Sequence, residues 1–112
     1  LYRCASLIAA GIRLAGSTDA PYMNENPWLA ITAATERRTF AGALLGPDER
    51  LTRDESIALF CGTFADPGGS LRRVEAGAPA DLCLLHPDAS QRGADPVAAT
   101  FIRGELVYRS SH

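Results

Sequence analysis

Asp19 is the residue whose type and setting best suit it to chemistry. It follows a short apolar run, residues 12–17 (IRLAGS), and precedes a Pro-containing loop, residues 20–26 (APYMNEN). A carboxylate at the C-terminal end of a buried parallel strand sits where α/β folds gather ligands and catalytic groups. The alternative is an aspartate that closes an Asx-turn or caps a helix, and the spacing leaves both readings open. Ser17 and Thr18 could orient the carboxylate or simply form the turn. Tyr22 and Trp28 flank the loop and are the candidate substrate-binding residues; they line a pocket or only cover the ends of the strands.

The other reactive side chains read more blandly. His86 follows the apolar run LCLL and precedes Pro87, but no second His or Cys lies at metal-site spacing from it, so it reads as a strand-end histidine at the surface. His112 is the last residue and is given no role. Arg37 and Arg38 could clamp an anion, yet arginines closing a helix already complement its dipole. Arg72 and Arg73 follow a Gly-Gly-Ser turn and read as a solvated pair or as partners of Glu75 or Asp81.

The elements that must place these groups follow from local signals. Cys4, Leu7 and Ile8 lie at i, i+3, i+4 and Gly11 is a natural helix stop. A buried strand over residues 12–17 comes next, in the manner of a parallel α/β repeat. Asn26 and Pro27 form an N-cap and N1 pair that opens a helix running to about Thr39. Thr52 and Glu55 have the spacing of a capping box, and Ile57, Phe60, Cys61 and Phe64 behind them predict one apolar helix face. Residues 82–85 (LCLL) read as a strand, and residues 100–108 (TFIRGELVY) as a hairpin turning at Gly104 and Glu105 with type II′ geometry.

Composition bounds the answer. The chain has 112 residues, 46% of them hydrophobic and 21% charged, which is a globular composition but too short for a whole barrel of ~200 residues or more. The net charge of -2 offers no positive field to displace counterions from a phosphate backbone, so nucleic acid is not an expected partner. All 11 basic residues are arginine, which excludes a Schiff-base lysine, a P-loop lysine and a carbamylated lysine from this chain. Three widely spaced cysteines, Cys4, Cys61 and Cys83, make no disulfide framework and suit a reducing cytoplasm. No run is long and apolar enough to predict a membrane span. The chain opens on Leu1 without an initiator Met, and the expectation is a fragment.

Five segments in order, residues 15–22 (AGSTDAPY), 26–39 (NPWLAITAATERRT), 45–60 (LGPDERLTRDESIALF), 74–88 (VEAGAPADLCLLHPD) and 97–108 (VAATFIRGELVY), together resemble the C-terminal part of a metal-dependent amidohydrolase of the amidohydrolase 3 type. The resemblance implies an α/β fold: the terminal part of a (β/α)8 TIM-like barrel over residues 1–69, with residues 12–17 as its last strand, followed over residues 70–112 by short strands of a small composite β-sandwich. It implies that Asp19 matches the family's aspartate at the end of the eighth strand, which contacts the metal and acts as general base on its water. The family's other ligands, among them a His-x-His, have no counterparts here. A divalent metal, zinc, is therefore expected in the whole protein and none in the isolated piece.

The implied function is hydrolysis of a non-peptide carbon-nitrogen bond in a small amide-like molecule, in the cytoplasm. The expected partners are that small-molecule substrate, the missing N-terminal part of the same protein and a further copy in a homo-oligomer, with no nucleic acid and no membrane. The alternative is a non-catalytic assembly module that self-associates through apolar faces left without neighbours.

Overall fold

A computed structural model describes residues 2–93 and 95–111; His112 lies outside the described residues. Among the described residues three α-helices precede three β-strands, and the chain divides into two compact units, residues 1–72 and 73–112. The helices belong to the first unit and the strands to the second.

Helix α1 (Cys4–Ala9) stops at Gly11, whose φ of 77° is readily reached only without a Cβ. Its first turn is held by a distant acid. The Glu49 carboxylate accepts the Ser6 amide at 2.9 Å and the Ser6 hydroxyl, and pairs with Arg3 Nε at 3.3 Å. These bonds, the Ser6 hydroxyl and amide first and the Arg3 charge after them, hold the Glu49 carboxyl below the usual range.

The strand expected over residues 12–17 is not formed. That segment belongs to no strand of the structure, and its amide at Gly16 donates instead to the Leu59 carbonyl at 2.8 Å. A strand exists through ladder partners, and the described residues offer this segment none.

Helix α2 (Pro27–Glu36) opens as its sequence predicts, with Asn26 as N-cap and Pro27 at N1. It ends at Glu36, short of the expected Thr39, because Arg37 adopts a left-handed φ of 51°. The chain then reverses through residues 37–45: the Leu45 amide reaches the Arg37 carbonyl at 2.8 Å and the Thr39 amide reaches Ala43 at 2.9 Å.

Helix α3 (Arg53–Ala58) carries the expected capping box. The Glu55 amide donates to Thr52 Oγ1 at 3.2 Å, and the Thr52 amide donates to Glu55 Oε2 at 2.8 Å. The longer apolar face through Phe64 is not realised, since the helix stops at Ala58 and Phe64 is fully exposed. The chain turns back at Gly62, where a Cβ would collide with the Pro67 carbonyl.

Helices α2 and α3 pack around Ile31, Leu51 and Ser56, which are 3%, 3% and 0% exposed. Ser56 is a polar group in that core and is satisfied. Its hydroxyl donates to the Thr52 carbonyl at 2.9 Å and lies 3.1 Å from Thr35 Oγ1, whose single proton serves either Ser56 or the Ile31 carbonyl at 2.8 Å.

The second unit is one antiparallel sheet in the order β1 (Leu82–Leu85), β2 (Val97–Ile102), β3 (Glu105–Arg109). Its hairpin turns one residue earlier than expected. Ile102 pairs with Glu105, so the two turn residues are Arg103 and Gly104, with φ of 50° and 82°. Two positive values define a type I′ turn, not II′. The Asp81 carboxylate holds the turn by accepting the Arg103 amide at 2.8 Å. Pro96, Ala89 and Ala99 are the buried ones among the described residues of this unit, while all five residues of β3 are exposed. The chain is thus α/β in content, and its described strands are antiparallel; a barrel strand is not among them.

Candidate active-site loop

The loop after residues 12–17 places Asp19 in a backbone conformation that few side chains accept. Its φ is 57°, in the left-handed region where Asp is among the more tolerant residues. Ser17 does not orient the carboxylate; its hydroxyl accepts the Asp19 amide at 3.2 Å. The Asp19 carbonyl accepts the amides of Tyr22 at 3.0 Å and Met23 at 3.2 Å, across a cis Ala20-Pro21 bond.

The turn is therefore built from Asp19's main chain, and α2 is capped by Asn26, whose Oδ1 accepts the Trp28 amide at 2.9 Å. Neither task that would make Asp19 merely structural falls to its carboxylate. The side chain stays exposed at the head of the loop.

Tyr22 shares the Asp19 turn and is 89% exposed. Trp28 lies at the far end of the loop, in the first turn of α2, half-buried, with the Arg53 guanidinium 5.9 Å from its ring centroid. That separation suits a cation–π contact.

The arginines at the end of α2 grip carbonyls. Arg37 Nε donates to Leu45 at 2.7 Å and Nη1 to Tyr2 at 2.9 Å, and Arg38 Nη1 donates to Gly42 at 3.0 Å. This pins the reversal beyond the helix and is neither an anion clamp nor a cap on the carbonyls of α2 itself. His86 is half-buried, not a surface residue; its Nε2 is buried without a hydrogen-bond partner among the described residues, and its amide donates to Pro96 at 2.9 Å.

A cleft of about 410 Å³ in the first unit, with Gly16, Phe60, Phe64 and Arg72 in its lining, was not evident from periodicity. Its sequence signal lies in the glycines: a Cβ at Gly16 would press into the Phe60 ring and one at Gly62 into Pro67.

Asp19 is one carboxylate and does not constitute a metal site. Among the described residues no group of three or more His, Cys, Asp or Glu side chains could hold an ion. The residues present do not fit a resident metal by themselves.

The chain belongs to the amidohydrolase family: that family's model matches residues 1–108. It is also 33% identical over 116 aligned residues to an N-substituted formamide deformylase of Arthrobacter pascens, an alignment that covers 96% of this chain and 21% of that protein. The chain thus spans about a fifth of the length of that curated relative. No solved structure matches it.

Proposed function

We propose that the chain is the C-terminal part of a hydrolase that cleaves a non-peptide carbon-nitrogen bond in a small amide-like substrate, with Asp19 as general base. The observation that carries this reading is the Asp19 carboxylate, left exposed while Ser17 and Asn26 make the hydrogen bonds that shape the loop. In that reaction water adds to the carbonyl carbon, its proton passes to Asp19, and the carbon-nitrogen bond breaks as the amine nitrogen is protonated. The relative's name points to N-substituted formamides, whose hydrolysis gives formate and an amine.

Tyr22 and Trp28 would border the substrate on the same loop. A divalent metal, zinc, belongs to this reading, with its remaining ligands in a part of the protein not included in these residues. That N-terminal part and a homo-oligomeric neighbour are the expected protein partners, and the cytoplasm the expected location. The three cysteines are free, and no helix among the described residues is long and apolar enough to cross a membrane.

The test is Asp19→Asn in the longer hydrolase, with formate release from an N-substituted formamide as the assay. Loss of a general base lowers kcat by about 10²–10⁴-fold. Wild-type turnover with the protein still folded would remove Asp19 from the mechanism.

A second reading has its own support. Phe40, Phe64, Tyr22 and Val74 are 105%, 104%, 89% and 87% exposed, apolar side chains that a partner surface could cover. On this reading the chain is an assembly module, inactive alone. Sedimentation of the 112-residue chain across a concentration series distinguishes them: a monomer at every concentration removes self-association.

A further inference from the structure

We infer that the cleft of the first unit is a binding site for a small organic anion, a carboxylate carried on an aromatic or branched apolar body. The inference goes beyond the hydrolysis and does not depend on Asp19. At about 410 Å³ the cleft has the size of a small-molecule site, and such sites combine apolar walls with a few polar groups that fix orientation.

Its walls are held by the main chain. The Gly16 amide donates to the Leu59 carbonyl at 2.8 Å and the Arg72 amide to the Cys61 carbonyl at 2.9 Å, so residues 59–61 are tied to both Gly16 and Arg72. Gly62 packs so closely on Pro67 that a Cβ would strike its carbonyl, and Gly16 packs as closely on the Phe60 ring. A site shaped in advance loses less ordering entropy when a ligand enters.

The lining selects the ligand. Leu59, Phe60, Phe64 and Pro67 supply the apolar part. Phe60 is half-buried and Phe64 is bare to solvent, so an apolar body seated here removes aromatic surface from water. The polar part is Thr63 and Arg72, and both can donate. The Thr63 hydroxyl oxygen accepts the Asp66 amide at 3.1 Å, which leaves its proton for a ligand.

The Arg72 guanidinium meets no acceptor among the described residues of its unit, whereas Arg37 is taken up by the Leu45 and Tyr2 carbonyls and Arg38 by that of Gly42. Among the described residues no Asp or Glu lines the cleft. Asp66, next in sequence to Pro67, has its carboxylate engaged by Arg13 at 3.2 Å. A guanidinium with donors to spare and a hydroxyl proton, in a lining without acids, suit a carboxylate and not an amine.

An NMR titration of the 112-residue chain with 3-phenylpropionate tests this without any activity. The Gly16, Gly62 and Thr63 amide signals are expected to shift and saturate with a Kd of about 1 mM, while Ala99 and Thr100 in the sheet stay in place. The neutral isostere 3-phenylpropanamide is expected to bind about tenfold more weakly. Because Arg72 is exposed, Arg72→Gln removes the charge without opening the core; it is expected to weaken phenylpropionate about tenfold and to leave the amide's affinity as it was.

No saturating shift at Gly16, Gly62 and Thr63 up to about 20 mM overturns the site. Equal affinity for acid and amide, or phenylpropionate binding that Arg72→Gln does not weaken, overturns its preference for an anion. The same titration of the longer hydrolase completes the test: the same affinity there supports a ligand site, and binding by the 112-residue chain alone overturns it, because the rest of the protein then covers the cleft.

Discussion

Helix α3 settles its own first turn with residues three positions apart, Thr52 and Glu55, whereas β1 pairs with a strand many residues away, Leu82 with Phe101. The same contrast divides the side chains. The α2–α3 pair buries Ile31 and Leu51 to 3% exposure, while Leu84 and Leu106 in the sheet stand 58% and 52% exposed. The helical pair thus holds a small interior of its own. The sheet has paired strands, with one register shift in each ladder, and side chains that have found little to pack against. Hydrogen bonding and burial are separate requirements, and this chain meets them in different places.

The largest effects should fall on the buried side of that contrast. Ile31→Ala removes a core side chain between α2 and α3 and is expected to cost about 2–5 kcal/mol. Leu106→Ala, half-exposed on β3, is expected to cost about 1 kcal/mol or less. Urea unfolding followed by circular dichroism measures both. Equal losses would mean that the sheet is as well packed as the helices, and the contrast would fail.

The next effect tests backbone geometry in the sheet. Gly104 has φ of 82° in the type I′ turn, so Gly104→Ala is expected to cost about 1–2 kcal/mol from left-handed strain. Arg103, at φ of 50°, is the opposite case: Arg103→Asn places a residue preferred in this turn and is expected to stabilise by a few tenths of a kcal/mol. A Gly104→Ala variant as stable as the parent would contradict the turn assignment.

Local signals were legible in the sequence and distant ones were not. Asn26-Pro27, the Thr52–Glu55 box and the stop at Gly11 all depend on neighbours within a few positions, and all three are present; the strand over residues 82–85 was legible from its apolar run, but its partner was not. The strand over residues 12–17 depended on ladder partners that the described residues do not supply. Helix α3 was overextended because the periodicity of Ile57, Phe60, Cys61 and Phe64 carries no information about the reversal at Gly62. For the candidate site, residue type singled out Asp19. That its main chain, and not its carboxylate, builds the turn is a matter of φ, which no spacing encodes. Glu49 beneath α1 was invisible for the same reason as the sheet register: its partner Ser6 is 43 positions away.

The smallest effect sharpens the comparison through acid. In the first unit Glu49 and Glu55 are both held below the ordinary glutamate value of 4.5, Glu49 chiefly by the Ser6 hydroxyl and amide and Glu55 by the Thr52 amide and hydroxyl. In the second unit the Arg92 side chain, bonded at 2.7 Å, lowers Asp88 from 3.8. A carboxyl with a folded-state pKa below its unfolded value binds fewer protons when folded, so its stabilising contribution is complete above the unfolded value and is lost as pH falls through the folded one. The contributions of Glu49 and Glu55 to the helical unit should therefore begin to fall below about pH 4.5, and that of Asp88 to the sheet unit only below about pH 3.8. Glu55→Gln keeps a side chain that can reach the Thr52 amide but removes the charge near the start of α3. It is expected to lower helix stability slightly at pH 7 and to flatten the onset near pH 4.5 in a far-UV titration, leaving the sheet amides unchanged by NMR. If the strands lose protection at the same pH as the helices, the two units share one acid transition and are not separately stabilised.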